Sequence, residues 1–333
     1  MKATIKAGVI GAAGYAGGEL LRLLLQHPQV AVAFAQSASQ AGKAVAATHT
    51  DLVGETELIF SAKADAAVDV LFLCAGHGEA AKYVASHQIA DSVKIIDLSQ
   101  DFRWNEATTG ATVPFEGREF VYGLPELQRE EIRQAQYVAN PGCFATAMQL
   151  ALLPLTQQQL LPQQVHISGI TGSTGAGQSL SATSHFSWRT ENVSTYKVME
   201  HQHLREVGRT LQHLQPGTSP EIYFIPYRGP FARGIFMITY LETDLKLEQA
   251  QTLYQDYYSS HPFVVLSKYN PDLKQVVNTN KCVLYLEKHG RQLVITSLID
   301  NLLKGAAGQA VQNMNLLFGL DEADGLRLKA TAF

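Results

Sequence analysis

The chain has 333 residues, 46% of them hydrophobic, and it carries a formal net charge of −4 at pH 7. This length predicts about two domains, each able to bury a core. The weakly acidic balance argues against binding to nucleic acid or to an anionic membrane surface. No apolar run reaches the roughly 18 residues that a membrane helix needs.

The three cysteines are an odd number without paired spacing, which is typical of a reduced chain rather than a disulfide framework. An apolar strand is predicted almost from Met1, which leaves no room for a signal peptide. We therefore expect a cytoplasmic protein.

The first predicted strand ends at Ile10 and is followed by a glycine-rich turn and an apolar helix. Glycines at 11, 14 and 17 allow the backbone to approach a pyrophosphate closely, and the helix N-terminus then faces its charge. A strand before and a helix after are the context that this motif requires. The segment predicts a dinucleotide site, and a tight turn without ligand is the alternative.

The second predicted strand, residues 30–35, indicates which dinucleotide is preferred. A site for NAD usually places an acidic side chain after this strand, on the ribose hydroxyls. This chain has no acid there and offers Ser37, Ser39 and Lys43 instead. Hydroxyls and a lysine suit a 2′-phosphate, so the pattern favours NADP. The alternative is a solvated loop.

Further apolar strands at 68–75 and 93–98 flank a helix at about 79–87. Strands that are apolar throughout are typical of a parallel sheet buried on both faces. Cys74 lies within one of them, so we interpret it as a core residue.

Cys143 follows a short apolar strand and the turn Asn140-Pro141-Gly142, and it begins a predicted helix. The unpaired N–H groups and the positive dipole end of a helix N-terminus favour a thiolate. Thiolate is the form that attacks carbonyl carbon. Cys143 is therefore a candidate nucleophile, and a buried structural cysteine is the alternative.

The pattern changes after Cys143. Strands are predicted at 165–171, 222–227, 234–240, 282–286 and 293–298, with one helix at 247–259 among them. This arrangement indicates an α+β domain with a mostly antiparallel sheet. Cys282 lies on one of these strands and is interpreted as structural. A last helix, 305–318, is expected to return to the first domain.

The segment from Glu200 to Val207 contains His201, His203 and Glu206. A zinc site usually needs further ligands at a recognisable spacing, and none is apparent, so no metal is predicted. A general base at His203, oriented by Glu206, fits the spacing better. The alternative is a solvated helix start. The glycine- and hydroxyl-rich run 172–179 suits close approach to a bound group, or is a plain loop.

Taken together, these segments resemble the N-acetyl-γ-glutamyl-phosphate reductase family, within the wider aspartate-semialdehyde dehydrogenase group. The resemblance spans residues 8–318. The order and spacing of its motifs match those of the family, as do the residues within each motif. The motifs are residues 11–17, 97–103, 122–127, 140–146, 201–203 and 300–310. Two positions depart from the pattern: Gln178 stands where the family often has Arg, and no Pro precedes Glu206.

The resemblance implies an α/β fold with an N-terminal Rossmann-type dinucleotide-binding domain, residues 1–142. It implies an α+β catalytic and oligomerisation domain at 143–303, with 304–333 packing back on the first. The implied activity is the NADPH-dependent reduction of an acyl phosphate to an aldehyde by a homo-oligomer, dimer or tetramer. The thiol of Cys143 forms a thioester, and His203 transfers the proton.

The resemblance also implies further site residues. Substrate contacts are expected from Ser173, His201 and Glu206. Arg103 is a further candidate, for a substrate carboxylate or phosphate, because an Arg fork binds both in bidentate fashion. Cofactor contacts are expected from Gly11, Ala13, Gly14, Tyr15, Ala16, Gly17, Ser37, Ser39, Ala75, Ser99, Gly175, Asn301, Lys304 and Gly305. Three alternatives stay open: the same chemistry on the one-carbon-longer aminoadipyl phosphate, a Cys/His hydrolase, and a non-catalytic nucleotide-sensing regulator.

Overall fold

A computed structural model describes residues 4–64, 67–104 and 112–331. The chain divides into two compact units. One contains the residues up to Gly142 together with Ala306–Arg327, and the other contains Cys143–Gly305 together with the residues from Leu328 onward. Of the segment 304–333, expected to pack on the first unit, Ala306–Arg327 belong to that unit, whereas residues 304 and 305 and those from Leu328 onward belong to the second. Beyond this point the Thr331 N–H donates to the carbonyl of Val277 at 3.4 Å, within the second unit.

The first unit contains an eight-stranded sheet in the order β3-β2-β1-β4-β5-β8-β7-β6. The strands are β1 (Ile5–Ile10), β2 (Val30–Gln36), β3 (Phe60–Ser61), β4 (Val70–Leu73), β5 (Lys94–Asp97), β6 (Thr112–Phe115), β7 (Arg118–Tyr122) and β8 (Tyr137–Ala139). The helices are α1 (Tyr15–Leu25), α2 (Val45–Thr48), α3 (Glu79–Ser86), α4 (Pro125–Gln134) and α9 (Ala307–Leu317). All neighbouring strands are parallel except β6 and β7.

Parallel sheets are normally buried on both faces, which explains why the strands of this sheet are apolar along their length. Every residue of β4 is buried, and α1 contributes Leu20, Leu21, Leu23 and Leu24 to the core. The close approach of α1 requires Gly17, since a Cβ there would lie 2.7–2.8 Å from backbone atoms of Ala12.

The second unit contains a seven-stranded sheet in the order β10-β11-β9-β12-β15-β14-β13. The strands are β9 (Gln164–Thr171), β10 (Ser194–Thr195), β11 (Glu221–Arg228), β12 (Ile235–Glu242), β13 (Val264–Leu266), β14 (Cys282–His289) and β15 (Gln292–Ile299). The helices are α5 (Cys143–Gln157), α6 (Phe186–Arg189), α7 (His203–Leu214) and α8 (Leu247–Tyr258). Only β11–β9 and β14–β13 are parallel pairs in this sheet, so it is mixed and mostly antiparallel.

Helix α5 is the buried centre of the second unit, since every residue from Phe144 to Thr156 is buried. Pro154 lies inside it and has no N–H, which leaves the carbonyl of Leu150 without its helical donor. The hydroxyl of Tyr258 donates to that carbonyl at 2.6 Å, and Tyr254 donates to the next one, Ala151, at 2.5 Å. Two tyrosines of α8 thus donate hydrogen bonds to carbonyls of α5 in the turn where Pro154 interrupts the helical pattern.

Across the described ranges, no helix combines the length and the apolar character that crossing a bilayer would require.

Gly17 and Gly14 allow a matched test of why this turn is glycine-rich. Gly17→Ala should lower the free energy of unfolding by about 1–3 kcal/mol, because the new Cβ overlaps the Ala12 backbone. Gly14→Ala should change it by less than about 0.5 kcal/mol, because its Cβ would lie 3.7 Å from the nearest atom, the Gly11 carbonyl oxygen. Denaturant unfolding measures both. Equal losses in the two variants would contradict this account.

Candidate active site

Cys143 is the first residue of α5 and its side chain is half-buried. The chain at 300–305 packs directly against it: a Cβ at Gly305 would lie 2.7 Å from the Cys143 Cβ. The Gly305 N–H donates to the carbonyl of Asp300 at 2.9 Å, which closes this turn. Gly305 was expected to border a cofactor. Within the second unit, its lack of a side chain leaves space for the side chain of Cys143.

The residue after the cysteine, Phe144, packs against both histidines. Its ring centroid lies 5.5 Å from that of His201 and 6.4 Å from that of His203, and the two imidazoles lie 4.6 Å apart. Because Phe144 is covalently next to Cys143, these contacts place the histidine pair beside the start of α5. The structure therefore brings together three residues that the sequence singled out.

The two histidines have different environments. Burial, with a smaller contribution from the positive charge of Lys197, lowers the pKa of His201 to about 4. His201 is therefore neutral near pH 7, and its Nδ1 accepts a hydrogen bond from the His203 backbone N–H at 3.2 Å. The proton of the neutral ring is then on Nε2. His201 is a neutral group that fixes the start of α7.

His203 begins α7, and Glu206 lies one turn later, as the spacing predicts. The His203 Nε2 and the Glu206 Oε1 are 3.9 Å apart, and both side chains are almost fully buried. At this distance the carboxylate acts on the imidazole through charge rather than through a hydrogen bond.

Two residues that extend this cluster beyond His201 carried no sequence signal. The Tyr196 ring lies 5.6 Å from that of His201, and the guanidinium carbon of Arg228 lies 4.7 Å from the Tyr196 ring centroid. Burial, followed by the charge of Cys143, raises the pKa of Tyr196. These residues come together only because β10 pairs with the end of β11.

The run 172–179 is held to the turn at 231–234. The N–H of Ser173 donates to the carbonyl of Phe231 at 2.8 Å. Asn301 connects the two segments: its Oδ1 accepts from the N–H of Gly234 at 2.7 Å, and its Nδ2 donates to the hydroxyl of Thr174 at 3.0 Å. Gly175 and Gln178 are exposed in this run. The Asn301 amide thus orders the loop from within the protein.

Lys304 was expected at the cofactor, but it is fully buried, with its ammonium 5.9 Å from the Phe263 ring centroid. This burial favours a structural contribution over contact with a ligand.

The predicted dinucleotide residues of the first unit follow the carboxyl ends of β1, β2, β4 and β5. A parallel sheet binds ligands at this edge. Gly11 has a positive φ of 72°, Gly14 precedes α1, and no side chain caps that helix. The remaining members of the set also follow these strand ends: Ala13, Tyr15, Ala16, Gly17, Ser37, Ser39, Ala75 and Ser99. A turn made of glycine and alanine before an uncapped helix N-terminus fits a pyrophosphate.

Gln36, at the end of β2, was missed from the sequence. Its Oε1 accepts from the Gly11 N–H at 3.3 Å, so it fixes the first glycine of the turn. The neighbouring hydroxyls of Ser37 and Ser39 lie 3.4 Å apart, and Lys43 donates to the Gln40 side chain at 3.0 Å.

Arg103 was expected to bind substrate. It is buried, and its Nε donates to the carbonyl of Asn140 at 2.8 Å while its Nη2 donates to that of Leu98 at 2.9 Å. These donors fix the turn that precedes Cys143. Nearby Asp97 is fully buried, and burial raises its pKa to about 7 despite hydrogen bonds from Ser99 and the charge of Arg103.

No cluster of His, Cys, Asp or Glu in the described part of the chain could hold a metal ion.

Comparison with known proteins supports this description. Residues 6–135 match the model of the semialdehyde dehydrogenase NAD-binding domain, and residues 143–301 match that of the semialdehyde dehydrogenase dimerisation domain. The N-acetyl-γ-glutamyl-phosphate reductase of Flavobacterium johnsoniae is 52% identical over 329 residues, covering 99% of this chain and 100% of the relative. The chain belongs to the N-acetyl-γ-glutamyl-phosphate reductase family. The enzyme of this name from Azobacteroides pseudotrichonymphae is 54% identical over 330 residues, covering 99% and 100%.

Solved structures agree on the fold. Aspartate semialdehyde dehydrogenase II of Vibrio cholerae, in complex with ASA, has a TM-score of 0.71 at 17% identity and covers 95% of this chain and 98% of its own. Aspartate semialdehyde dehydrogenase of Candida albicans, with NADP, has a TM-score of 0.68 at 13% identity and covers 95% and 99%. The predicted fold class is confirmed, and the protein is an oxidoreductase of the semialdehyde dehydrogenase type.

The contrasting environments of the histidines predict separable defects. His203→Asn should lower kcat by about 10²–10⁴-fold and flatten the pH–rate profile near neutrality, because a general acid–base group is lost. His201→Asn should mainly raise KM and keep the shape of that profile, since His201 is already neutral there. Steady-state kinetics from pH 6 to 9 measures both. The reverse assignment of defects would show that His201 transfers the proton.

Proposed function

We propose that this protein reduces N-acetyl-γ-glutamyl phosphate to N-acetylglutamate semialdehyde with NADPH and releases phosphate, a step of arginine biosynthesis. The observation that carries the proposal is a half-buried thiol at the start of α5, next to the Phe144 ring that packs on His201 and His203. The full-length relatives that bear the name of this activity support the choice of substrate.

In the first step, the Cys143 thiolate attacks the acyl carbon and the C–O bond to phosphate breaks. Phosphate leaves with the bonding electron pair, and a thioester forms on Cys143. The N–H groups of the first turn of α5 would stabilise the oxyanion that develops beside them. The fixed start of α5 therefore serves both the nucleophile and the charge that its attack creates.

In the second step, the thioester is converted to the aldehyde. NADPH, when bound, supplies the hydride for this reduction. His203 then protonates the oxygen of the thiohemiacetal anion or, in the reverse direction, removes that proton. Glu206, 3.9 Å from the imidazole, stabilises the protonated ring between these transfers. Collapse of the thiohemiacetal breaks the C–S bond and restores the thiol.

NADPH rather than NADH follows from the end of β2. The segment after this strand has no acidic side chain to bind ribose hydroxyls, and it offers Ser37, Ser39 and Lys43 to a 2′-phosphate. The solved relative from Candida albicans contains NADP. Gly11, Gly14 and the N-terminus of α1 would hold the pyrophosphate.

The second unit is also the proposed site of homo-oligomer formation. On its sheet, His166 is stacked between Tyr223 and Tyr240, with ring centroids 4.9 and 4.8 Å away, and Ile238 and Tyr240 are exposed. The family model matching these residues describes a dimerisation domain. We assign this aromatic surface to contact with a second copy of the chain.

The nucleophile is tested with Cys143→Ser in the reverse reaction, which contains N-acetylglutamate semialdehyde, phosphate and NADP⁺. The variant should fold normally, because one atom changes, and lose turnover by about 10³-fold or more, because serine is a weaker nucleophile here. The aminoadipate homologue of the aldehyde, one carbon longer, serves as the comparison substrate.

Labelling provides an independent measurement. Iodoacetamide should modify Cys143 faster than Cys74, whose thiol pKa is raised by burial, and faster than the fully buried Cys282.

For the kinetic experiment, substantial turnover in the Cys143→Ser variant would exclude the covalent mechanism.

A further inference from the structure

The segment that follows β2 leaves the glycine-rich turn of the first unit, residues 11–14, and returns to it. At the start of this segment, the Gln36 carbonyl accepts a hydrogen bond from the Ala12 N–H at 2.9 Å. At its end, the His49 Nε2 lies 2.8 Å from the carbonyl oxygen of Ala12. Residues 37–48 therefore form a loop whose two ends are bound to one residue of the turn. This loop contains the residues that are proposed to bind the 2′-phosphate: Ser37, Ser39 and Lys43.

The direction of the His49 hydrogen bond follows from its partner. A carbonyl oxygen only accepts, so the Nε2 of His49 carries a proton and donates it. Only 8% of His49 is exposed, and Ala12 is fully buried. A carbonyl inside a protein needs a donor, and removing that donor leaves the oxygen without a partner and away from water. The bond between His49 and the turn is therefore part of how the turn is built.

Gly18 on α1 makes room for the His49 ring. A Cβ at residue 18 would lie 2.5 Å from both Cε1 and Nδ1 of that ring. The preceding residue, Gly17, is required by the backbone of Ala12 instead. Glycine destabilises a helix relative to alanine, so a second consecutive glycine calls for a reason of its own. The imidazole supplies it.

The middle of the loop is bound to β3. The Gly42 N–H donates to the Phe60 carbonyl at 2.8 Å, and the Phe60 N–H donates to the Lys43 carbonyl at 2.9 Å. The Phe60 ring also meets the His49 ring edge to face, with 6.1 Å between the centroids. The loop thus follows β3 along its middle, while Gln36 and His49 connect its ends to the turn.

This arrangement matters for a ligand that contacts both the turn and the loop. NADPH carries a pyrophosphate, proposed to bind at the turn, and a 2′-phosphate, proposed to bind at the loop. Such a ligand binds with full affinity only when the protein already holds the two segments at the spacing of its phosphates. A ligand that contacts one segment alone does not depend on that spacing.

We propose that His49 is a positioning residue for NADPH: by binding the Ala12 carbonyl, it sets the spacing between the turn and the 37–48 loop. It thereby contributes to the selection of NADP(H) over NAD(H) while acting through Ala12. The proposal rests on the NADPH site proposed above and assigns a role to a side chain behind that site.

The test measures the binding of three ligands by calorimetry. NADPH has both phosphate groups, NADH lacks the 2′-phosphate, and 2′-AMP lacks the pyrophosphate. His49→Leu removes the donor and keeps an apolar side chain in the buried site. It should weaken NADPH binding about 5- to 10-fold and change the binding of NADH and 2′-AMP by less than about twofold. At saturating NADPH, kcat should stay within about twofold, so that the kinetic defect lies in the KM for NADPH.

Two further variants control for loss of the fold. His49→Gln keeps an N–H at the end of its side chain and should recover most of the NADPH affinity. His87→Leu is the matched control, because His87 is an exposed histidine at the end of α3 whose Nδ1 lies 3.0 Å from the Tyr83 carbonyl of its own helix. It should bind all three ligands as the unmodified enzyme does.

Gly18→Ala examines the same contact from α1. Its methyl group would displace the His49 ring, so the variant should weaken NADPH selectively, as His49→Leu does. Added to His49→Ala, the same change should cause no further loss of NADPH affinity, because the ring that it would strike is absent. Additive losses would show that Gly18 and His49 act independently and would contradict the proposal.

Equal weakening of all three ligands by His49→Leu would overturn the proposal, by showing that His49 supports the whole unit. Equal weakening of NADPH and NADH would also overturn it, because the turn alone would then be affected. Unchanged NADPH affinity would do the same. If the unmodified enzyme binds NADH as tightly as NADPH, the proposed cofactor choice is wrong and this proposal fails with it. That result comes from the unmodified enzyme and is therefore distinct from a failure seen only in the His49 variants.

Discussion

The placement of the Cys143 thiol depends on a contact that only glycine permits. The Cβ of Cys143 occupies space that a side chain at residue 305 would need, with 2.7 Å between the two positions. Helix α5, which begins at this cysteine, is buried along almost its whole length and cannot shift to relieve an overlap. Its carbonyls are further held by Tyr254, Tyr258 and Ser297. The proposed nucleophile is thus fixed by packing of the entire helix.

The chemistry around the thiol follows from this fixed start. Phe144 belongs to the core and contacts both imidazoles, so the histidines are ordered by the same packing that holds the cysteine. Their surroundings then differ: burial lowers the pKa of His201 to about 4, so it is neutral near pH 7, whereas His203 lies beside the buried Glu206. Two histidines separated by a single residue therefore have distinct environments, one set by desolvation and the other by a neighbouring acid.

Much of this could be predicted from the sequence, because the relevant signals are local. The turn at Gly11, the apolar parallel strands and the helix that begins at Cys143 each depend on a few consecutive residues, and the structure contains all three. The spacing of His203 and Glu206 likewise predicts their contact on α7. The catalytic and binding roles assigned to individual residues stay predictions.

The features that were missed depend on long-range pairing. Tyr196 and Arg228 are 32 positions apart and meet only when β10 adds to the sheet edge. The environment of Arg103 could not be predicted either, since two of its donors reach the backbone carbonyls of Leu98 and Asn140. Lys304, charged and near a glycine, gives no local sign that it is fully buried. Side-chain partners of this kind are set by tertiary packing.

The central claim is that Cys143 carries the acyl group as a thioester, and a single-turnover experiment tests it most directly. Enzyme in excess of N-acetyl-γ-glutamyl phosphate, mixed without NADPH, should release a burst of phosphate equal to the concentration of active sites. Mass spectrometry should then find the N-acetylglutamyl group on the peptide containing Cys143. Phosphate release that begins only when NADPH is added, with no acylated peptide, would contradict the account.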